Sequence, residues 1–257
     1  MRSMKGQTTV EMIIVVGLIL IIFTVSVLVA HRKTVESNDF KMMLDAKRIA
    51  QSIADNINTI AEQGPGYYRY FTLPPYISGG YGYNISIYGN FVEITWESRY
   101  GEQGYITQIV TGNATKYCLD KGGNTKNKVF NYNERILVTC NRADLMLLGD
   151  SFKPETAKNG TDINISIDVL NYGVLDVPDT TSFNVTFRNN ILGNYTYTIQ
   201  GLRADRRKTA YAFIDSSKTT NPGTYSIYIN ITEYPTQPIN ESYKGDNWYN
   251  ATLIITT

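Results

Sequence analysis

Residues 12–30, MIIVVGLILIIFTVSVLVA, form an unbroken run of 19 residues without a charge. As a helix the run spans about 28 Å, close to the hydrocarbon thickness of a bilayer. Such a segment can cross a membrane, be cleaved off as a signal, or be buried among copies of itself, and each outcome limits what the rest of the chain does. An ordinary signal peptide is one account, with Arg2 and Lys5 as its charged region. The run is long for that role, and its exit has Leu28 two before Ala30, a poor small-x-small site. Charges flank both ends, Arg2 and Lys5 before and Arg32 and Lys33 after, so the positive-inside rule sets no orientation. Glu11 stands at the head of the run, where a carboxylate costs a few kcal/mol in lipid and calls for a functional reason.

The stretch Lys5-Gly6-Gln7-Thr8-Thr9-Val10-Glu11 resembles the class III signal peptide of archaeal type IV pilin-like proteins. The resemblance implies a leader of residues 1–6, cleavage between Gly6 and Gln7 by a prepilin peptidase, and retention of the apolar helix. Glu11 then takes the place of the family's glutamate, four residues after the new N-terminus. The plain alternative is an N-terminal anchor whose Glu11 sits at the membrane interface.

Beyond the run the chain turns polar but keeps a helical rhythm. Val35, Met42, Ala46, Ile49, Ile53, Ile57 and Ile60 recur at steps of seven, four, three, four, four and three, which predicts one apolar stripe. Gly64-Pro65-Gly66 predicts the stop. The expected element is a single helix over 7–63, apolar all round in its first half and amphipathic in its second.

The remaining chain reads as two β-rich modules, 67–142 and 143–257, so the expected fold class is α+β. In the first, Tyr83–Tyr88 and Phe91–Trp96 flank Gly89-Asn90, a short hairpin signal, with further strands expected at Tyr105–Val110 and Arg135–Cys140. Leu73-Pro74-Pro75-Tyr76-Ile77 before that hairpin resembles the start of archaeal pilin heads. Cys118 and Cys140 lack the accompanying histidines of a zinc site and any redox signature, so an exported chain should join them. The intervening segment, Asp120 to Asn133, is rich in Lys, Gly and Asn and is expected to be a loose loop held by that staple.

The second module has turns at Lys158-Asn159-Gly160, Asn171-Tyr172-Gly173, Asn221-Pro222-Gly223 and Lys244-Gly245-Asp246-Asn247. Alternating strands are expected at 161–170, 182–187, 196–199, 225–231 and 252–256, which suggests an immunoglobulin-like sandwich. Ala143-Asp144-Leu145, Asn171-Tyr172-Gly173, Ile199-Gln200-Gly201-Leu202 and Gly245-Asp246-Asn247 make the module similar to the CARDB family of adhesion-related surface domains. The basic cluster Arg203–Lys208 is expected to be a solvated turn.

Composition narrows the function. Lys+Arg 24 against Asp+Glu 23 leaves +1, no electrostatic footprint for nucleic acid. One histidine, His31, flanks the apolar run, and no Walker loop, GxSxG elbow, HExxH or EF-hand loop is present. No catalytic residue, metal or cofactor is expected. Asn-x-Ser/Thr occurs at Asn84, Asn113, Asn159, Asn164, Asn184, Asn194, Asn230, Asn240 and Asn250. With 23 Asn and 42 Ser and Thr in 257 residues, about 3.8 would arise by chance, so the nine are candidate N-glycosylation sites of an exported surface.

The expectation is a pilin of an archaeal type IV-like adhesion pilus, inserted in the cytoplasmic membrane before assembly and extracellular after it. Its partners would be other copies in a helical filament, the prepilin peptidase, the assembly machinery, and a surface or cell ligand. The alternative is a minor or tip pilin, or a membrane-anchored adhesin, binding a surface or glycan through the β modules.

Overall fold

The structure is a computed structural model that describes residues 4–99, 101–233 and 238–257, with side chains described from residue 11 onward. One helix, α1 (Met4–Gln63), leads into fifteen strands in four sheets, an α+β arrangement. At 60 residues α1 is about 90 Å long. It begins at Met4, three residues earlier than Gln7, and so runs through Gly6 despite that residue's low helix propensity. It ends where Gly64 takes φ +91°, a left-handed conformation open to glycine, and Pro65 follows.

The head holds β1 (Tyr68–Leu73), β2 (Tyr83–Tyr88), β3 (Phe91–Ser98), β4 (Gly101–Gln108), β5 (Ala114–Lys116), β6 (Gly122–Tyr132) and β7 (Arg135–Thr139). They form a three-stranded antiparallel sheet, β2-β3-β4, and a four-stranded sheet, β1-β6-β7-β5, with β5 parallel to β7. The amphipathic half of α1 packs on both. Met42, Ala46, Ile49, Ile53, Ile57 and Ile60 are buried as their spacing predicts, with Ala50 and Ala54 beside them. Small residues at these two positions let Val92, Ile94 and Trp96 of β3 and Val129, Ile136 and Val138 of β6 and β7 share one core with the helix. Each large aliphatic side chain buried there contributes about 1.5–3 kcal/mol. Val35, the first member of the expected stripe, is only half-buried and lies outside that core.

Polar bonds fix the helix in the head. Asp45 accepts from the backbone N–H (3.0 Å) and hydroxyl (2.5 Å) of Ser78, Asn58 Oδ1 accepts from the N–H of Val110 (2.8 Å), and Asn131 Nδ2 donates to the carbonyl of Ile60 (3.2 Å). The last bond satisfies a carbonyl in the final helical turn, one of those with no intrahelical partner.

The segment expected to be a loose loop is instead β6, eleven residues long and paired with both β1 and β7. Its polarity misleads because its buried polar groups are satisfied. Asn127 exchanges side-chain bonds with the backbone of Asp120 (2.8 and 2.9 Å), and Asn131 reaches Ile60.

The second module is a β-sandwich. One sheet is β8 (Leu145–Lys153), β10 (Ile163–Asn171) and β13 (Arg206–Ile214) in the order β13-β10-β8. The other is β12-β11-β14-β15-β9, from β9 (Thr156–Lys158), β11 (Val177–Asn189), β12 (Gly193–Leu202), β14 (Gly223–Glu233) and β15 (Trp248–Thr256). Alternate residues face inward: Ile163, Ile165, Ile167 and Val169 from β10 meet Phe183, Val185 and Phe187 from β11, and Ile227, Ile229 and Leu253 from β14 and β15. The basic cluster divides: 203–205 is a turn, and Arg206, Arg207 and Lys208, all exposed, open β13.

Candidate assembly helix and head–sandwich joint

Every large apolar side chain from Met12 to Val29 is exposed, at 47–70% of its full surface. The hydroxyls inside the run are satisfied by the helix itself. Thr24 donates to the carbonyl of Leu20 and Ser26 to that of Ile22, each at 2.8 Å, and Thr34 donates to that of Ala30 at 3.0 Å. A helix with no polar group left wanting water is suited to lipid or to a bundle of its own kind. The expected cleavage residues Gly6 and Gln7 fall in helical backbone whose side chains lie outside the described residues. Glu11 is exposed, seven residues into α1. A helix trimmed to start at Gln7 would bring it near the first turn, where exposed amides favour a negative charge.

Cys118 and Cys140 are bonded, and the bond lies where the head meets the sandwich. There, Phe130 and Leu137 of the head share a third apolar cluster with Met146, Leu148 and Tyr172 of the sandwich. Lys128 is fully buried at this joint. Its Nζ donates to the carbonyl of Tyr172 (2.8 Å) and to Asp205 Oδ1, and lies 4.6 Å from the centre of the Tyr68 ring. Burial lowers its pKa, while Asp205 opposes the shift. Tyr70 donates its hydroxyl to the other oxygen of Asp205 at 3.0 Å. Asp205 occupies φ +58°, a conformation aspartate tolerates better than most side chains.

The four sequence motifs noted in the sandwich serve this end of it. Asn171 Oδ1 accepts from the N–H groups of Asp144 and Gly173, both at 3.1 Å, and its Nδ2 donates to the carbonyls of Leu175 and Leu202, both at 2.9 Å. One buried amide thereby ties the start of β8 to the segments after β10 and β12. Gly173 is required: a Cβ there would stand 2.5 Å from the carbonyl oxygen of Arg142 and the nitrogen of Asp144. Tyr172 donates its hydroxyl to Asp246 Oδ2 (2.9 Å), Thr139 to Asp144 Oδ2 (3.3 Å), and Glu241 accepts from the N–H of Leu145 (3.0 Å). Burial, with Asp246 nearby, pushes the Asp144 carboxyl up to about 7. Burial raises Asp246 to about 6, against the bond from Tyr172. Burial likewise raises Glu241.

No protein-family model matches the chain, and no curated protein matches it. Solved structures do. The CARDB domain of a Pyrococcus furiosus protein, crystallised with di-metal ions, is 18% identical over 45% of this chain and 90% of that one, with a TM-score of 0.35. Residues 272–376 of a Methanosarcina acetivorans protein described as a cell surface protein are 23% identical over 45% and 93%, with a TM-score of 0.36. A chain of the human complex of zinc 2-glycoprotein with prolactin inducible protein is 16% identical over 45% and 97%, at 0.32.

The sequon asparagines all lie on accessible positions. Asn84, Asn113, Asn159, Asn164, Asn194, Asn240 and Asn250 are exposed, and Asn184 and Asn230 are half-buried. The joint is what sequence reasoning missed. Lys128, Asp205, Asp144 and Tyr172 come from four separate stretches, and only the Ala143-Asp144-Leu145 and Asn171-Tyr172-Gly173 motifs hinted that two of them mattered.

Proposed function

We propose that the chain is a structural subunit of an archaeal type IV-like pilus, with the sandwich as an outward adhesion-type module similar to CARDB domains. One observation carries the reading. A single unbroken helix is bare and apolar over 12–30 and is clasped by its own head from Met42 onward. The head solves the burial of one half and leaves the other for a bilayer first and neighbouring copies later. Exchange of lipid for protein contacts gains little hydrophobic energy, so packing of the bare halves and satisfaction of Glu11 would govern assembly. The leader-like Lys5-Gly6-Gln7 supports removal of residues 1–6, with the cut falling inside the first helical turns.

The test is the N-terminus of the protein recovered from the cell surface, together with electron microscopy of sheared filaments. A chain beginning at Gln7, open or cyclised, in filaments supports the reading. A chain beginning at His31 refutes it and restores an ordinary signal peptide.

The exposed aromatic residues of the sandwich favour a second reading, a minor or tip pilin or anchored adhesin that carries the same helix but holds a surface ligand. Immunogold labelling separates the two: a major subunit decorates the whole filament, a tip subunit only its end.

A further inference from the structure

We infer that Asn250 carries an N-linked glycan whose first sugar lies across the rings of Trp248 and Tyr228. On the outer face of the five-stranded sheet, β14 and β15 run antiparallel with Tyr228 opposite Asn250 and Asn230 opposite Trp248. Residues two apart on a strand share a face, so these four side chains form a square, with aromatic rings on one diagonal and sequon asparagines on the other. The rings sit 6.3 Å apart with planes 21° from parallel, and Trp248 and Tyr228 remain 55% and 43% exposed. Broad apolar rings on the solvent face of a sheet need a cover that is apolar on one side and hydrated on the other. A pyranose is such a cover, since its C–H face packs on a ring while its hydroxyls stay in water.

The tether identifies the occupant. Of the nine sequons only Asn230 and Asn250 have an aromatic residue two positions earlier, Tyr228 and Trp248. In an extended strand that spacing sets the ring beside the amide. The two sites then differ. Asn230 is half-buried, its Nδ2 already donates to Thr232 Oγ1 at 2.9 Å, and its Oδ1 is enclosed without a partner. Asn250 is exposed, as is its sequon hydroxyl at Thr252. Asn250 is therefore the acceptor, and both rings flank it. In the transfer, Asn250 Nδ2 bonds to the anomeric carbon of a sugar held on a lipid-linked phosphate. The bond from that carbon to the phosphate oxygen breaks, the phosphate leaves with the electron pair, and one amide proton passes to the transferase. The inference requires only that the sandwich be exported, and it stands apart from filament assembly.

The experiment uses the full chain purified from its native surface. Mass spectrometry of the peptide following Lys244 should show a sugar mass on Asn250, and Thr252→Ala should abolish it. Trp96 is buried, so acrylamide quenching of tryptophan fluorescence reports Trp248. Quenching should rise several-fold in Thr252→Ala relative to the glycosylated protein. An unmodified Asn250 overturns the inference. A modified Asn250 with quenching equal in the two proteins overturns the stacking, leaving a glycan that points away from the rings.

Discussion

Tyr117 of the head lies flat against Tyr243 of the sandwich, their ring centres 4.2 Å apart and their planes 3° from parallel. Tyr117 immediately precedes Cys118, so the stacked pair and the disulfide hold one edge of the joint between them. Lys128 and Asp205 join the two modules through a second contact, and the buried acids Asp144 and Asp246 accept from Thr139 and Tyr172. The parts of the joint can be tested singly.

Asp205→Asn preserves the left-handed turn but leaves the buried ammonium of Lys128 without a counter-charge. It should destabilise the chain by about 3–5 kcal/mol, whereas Lys128→Met combined with Asp205→Asn should cost far less. Urea denaturation of the two variants checks this. Equal losses would show that the unpaired charge of Lys128 is not what destabilises Asp205→Asn.

Stability should fall as pH rises through the acid cluster. Asp144 and Asp246 have folded-state pKa values raised to about 7 and about 6, above the usual aspartate range, so the folded chain holds more protons than the unfolded one between about pH 4 and 7. The contribution is complete below that window and lost above it. Thermal midpoints should therefore decline across it, by about 2–4 °C for each 1 kcal/mol. Asp144→Asn should flatten the profile, and an unchanged slope would show that Asp144 does not titrate there.

Gly173→Ala places a methyl group against backbone atoms that cannot move aside without breaking the bonds of Asn171. A loss of about 1–3 kcal/mol or more is expected from the strain, read as a lower denaturation midpoint. The same change at Gly123, where a Cβ meets nothing within 4 Å, should be nearly silent.

If the chain is the pilin proposed above, Glu11→Gln should leave leader cleavage and the folded head and sandwich intact while removing most filaments. A carboxylate enclosed without a partner costs several kcal/mol, so one satisfied across a subunit contact sets the register of that contact. Filament counts by electron microscopy decide it, and wild-type numbers from the mutant would make Glu11 a bystander at the interface.

How much of this was legible depended on the range of the interaction. The helix could be read residue by residue because its signal is a local period, and only Val35 fell outside the core. The Tyr83–Tyr88 hairpin was equally plain, since Gly89 supplies the positive φ its turn needs. β6 was hidden: Lys126, Asn127 and Lys128 read as loop, yet Asn127 and Lys128 are buried, and their bonds are made by Asp120, Tyr172 and Asp205. β13 was hidden for a different reason: its opening residues Arg206, Arg207 and Lys208 are exposed and read as a solvated turn. The joint depends on contacts 44 and 77 residues apart, from Lys128 to Tyr172 and Asp205, which no local pattern announces.

The chain passes from head to sandwich once, through 140–145, and Cys140 is the first residue beyond the end of β7. A pull on the sandwich therefore enters the head at a forked attachment. Part of the load runs back along β7, and part crosses the sulfur bridge to Cys118 and the end of β5. Both branches belong to one of the two sheets packed on α1, and hydrogen bonds across several strands resist together where one strand alone would peel. On the proposed reading of the chain as a surface subunit, that branching spreads the drag on the outer module over more than one strand of the head.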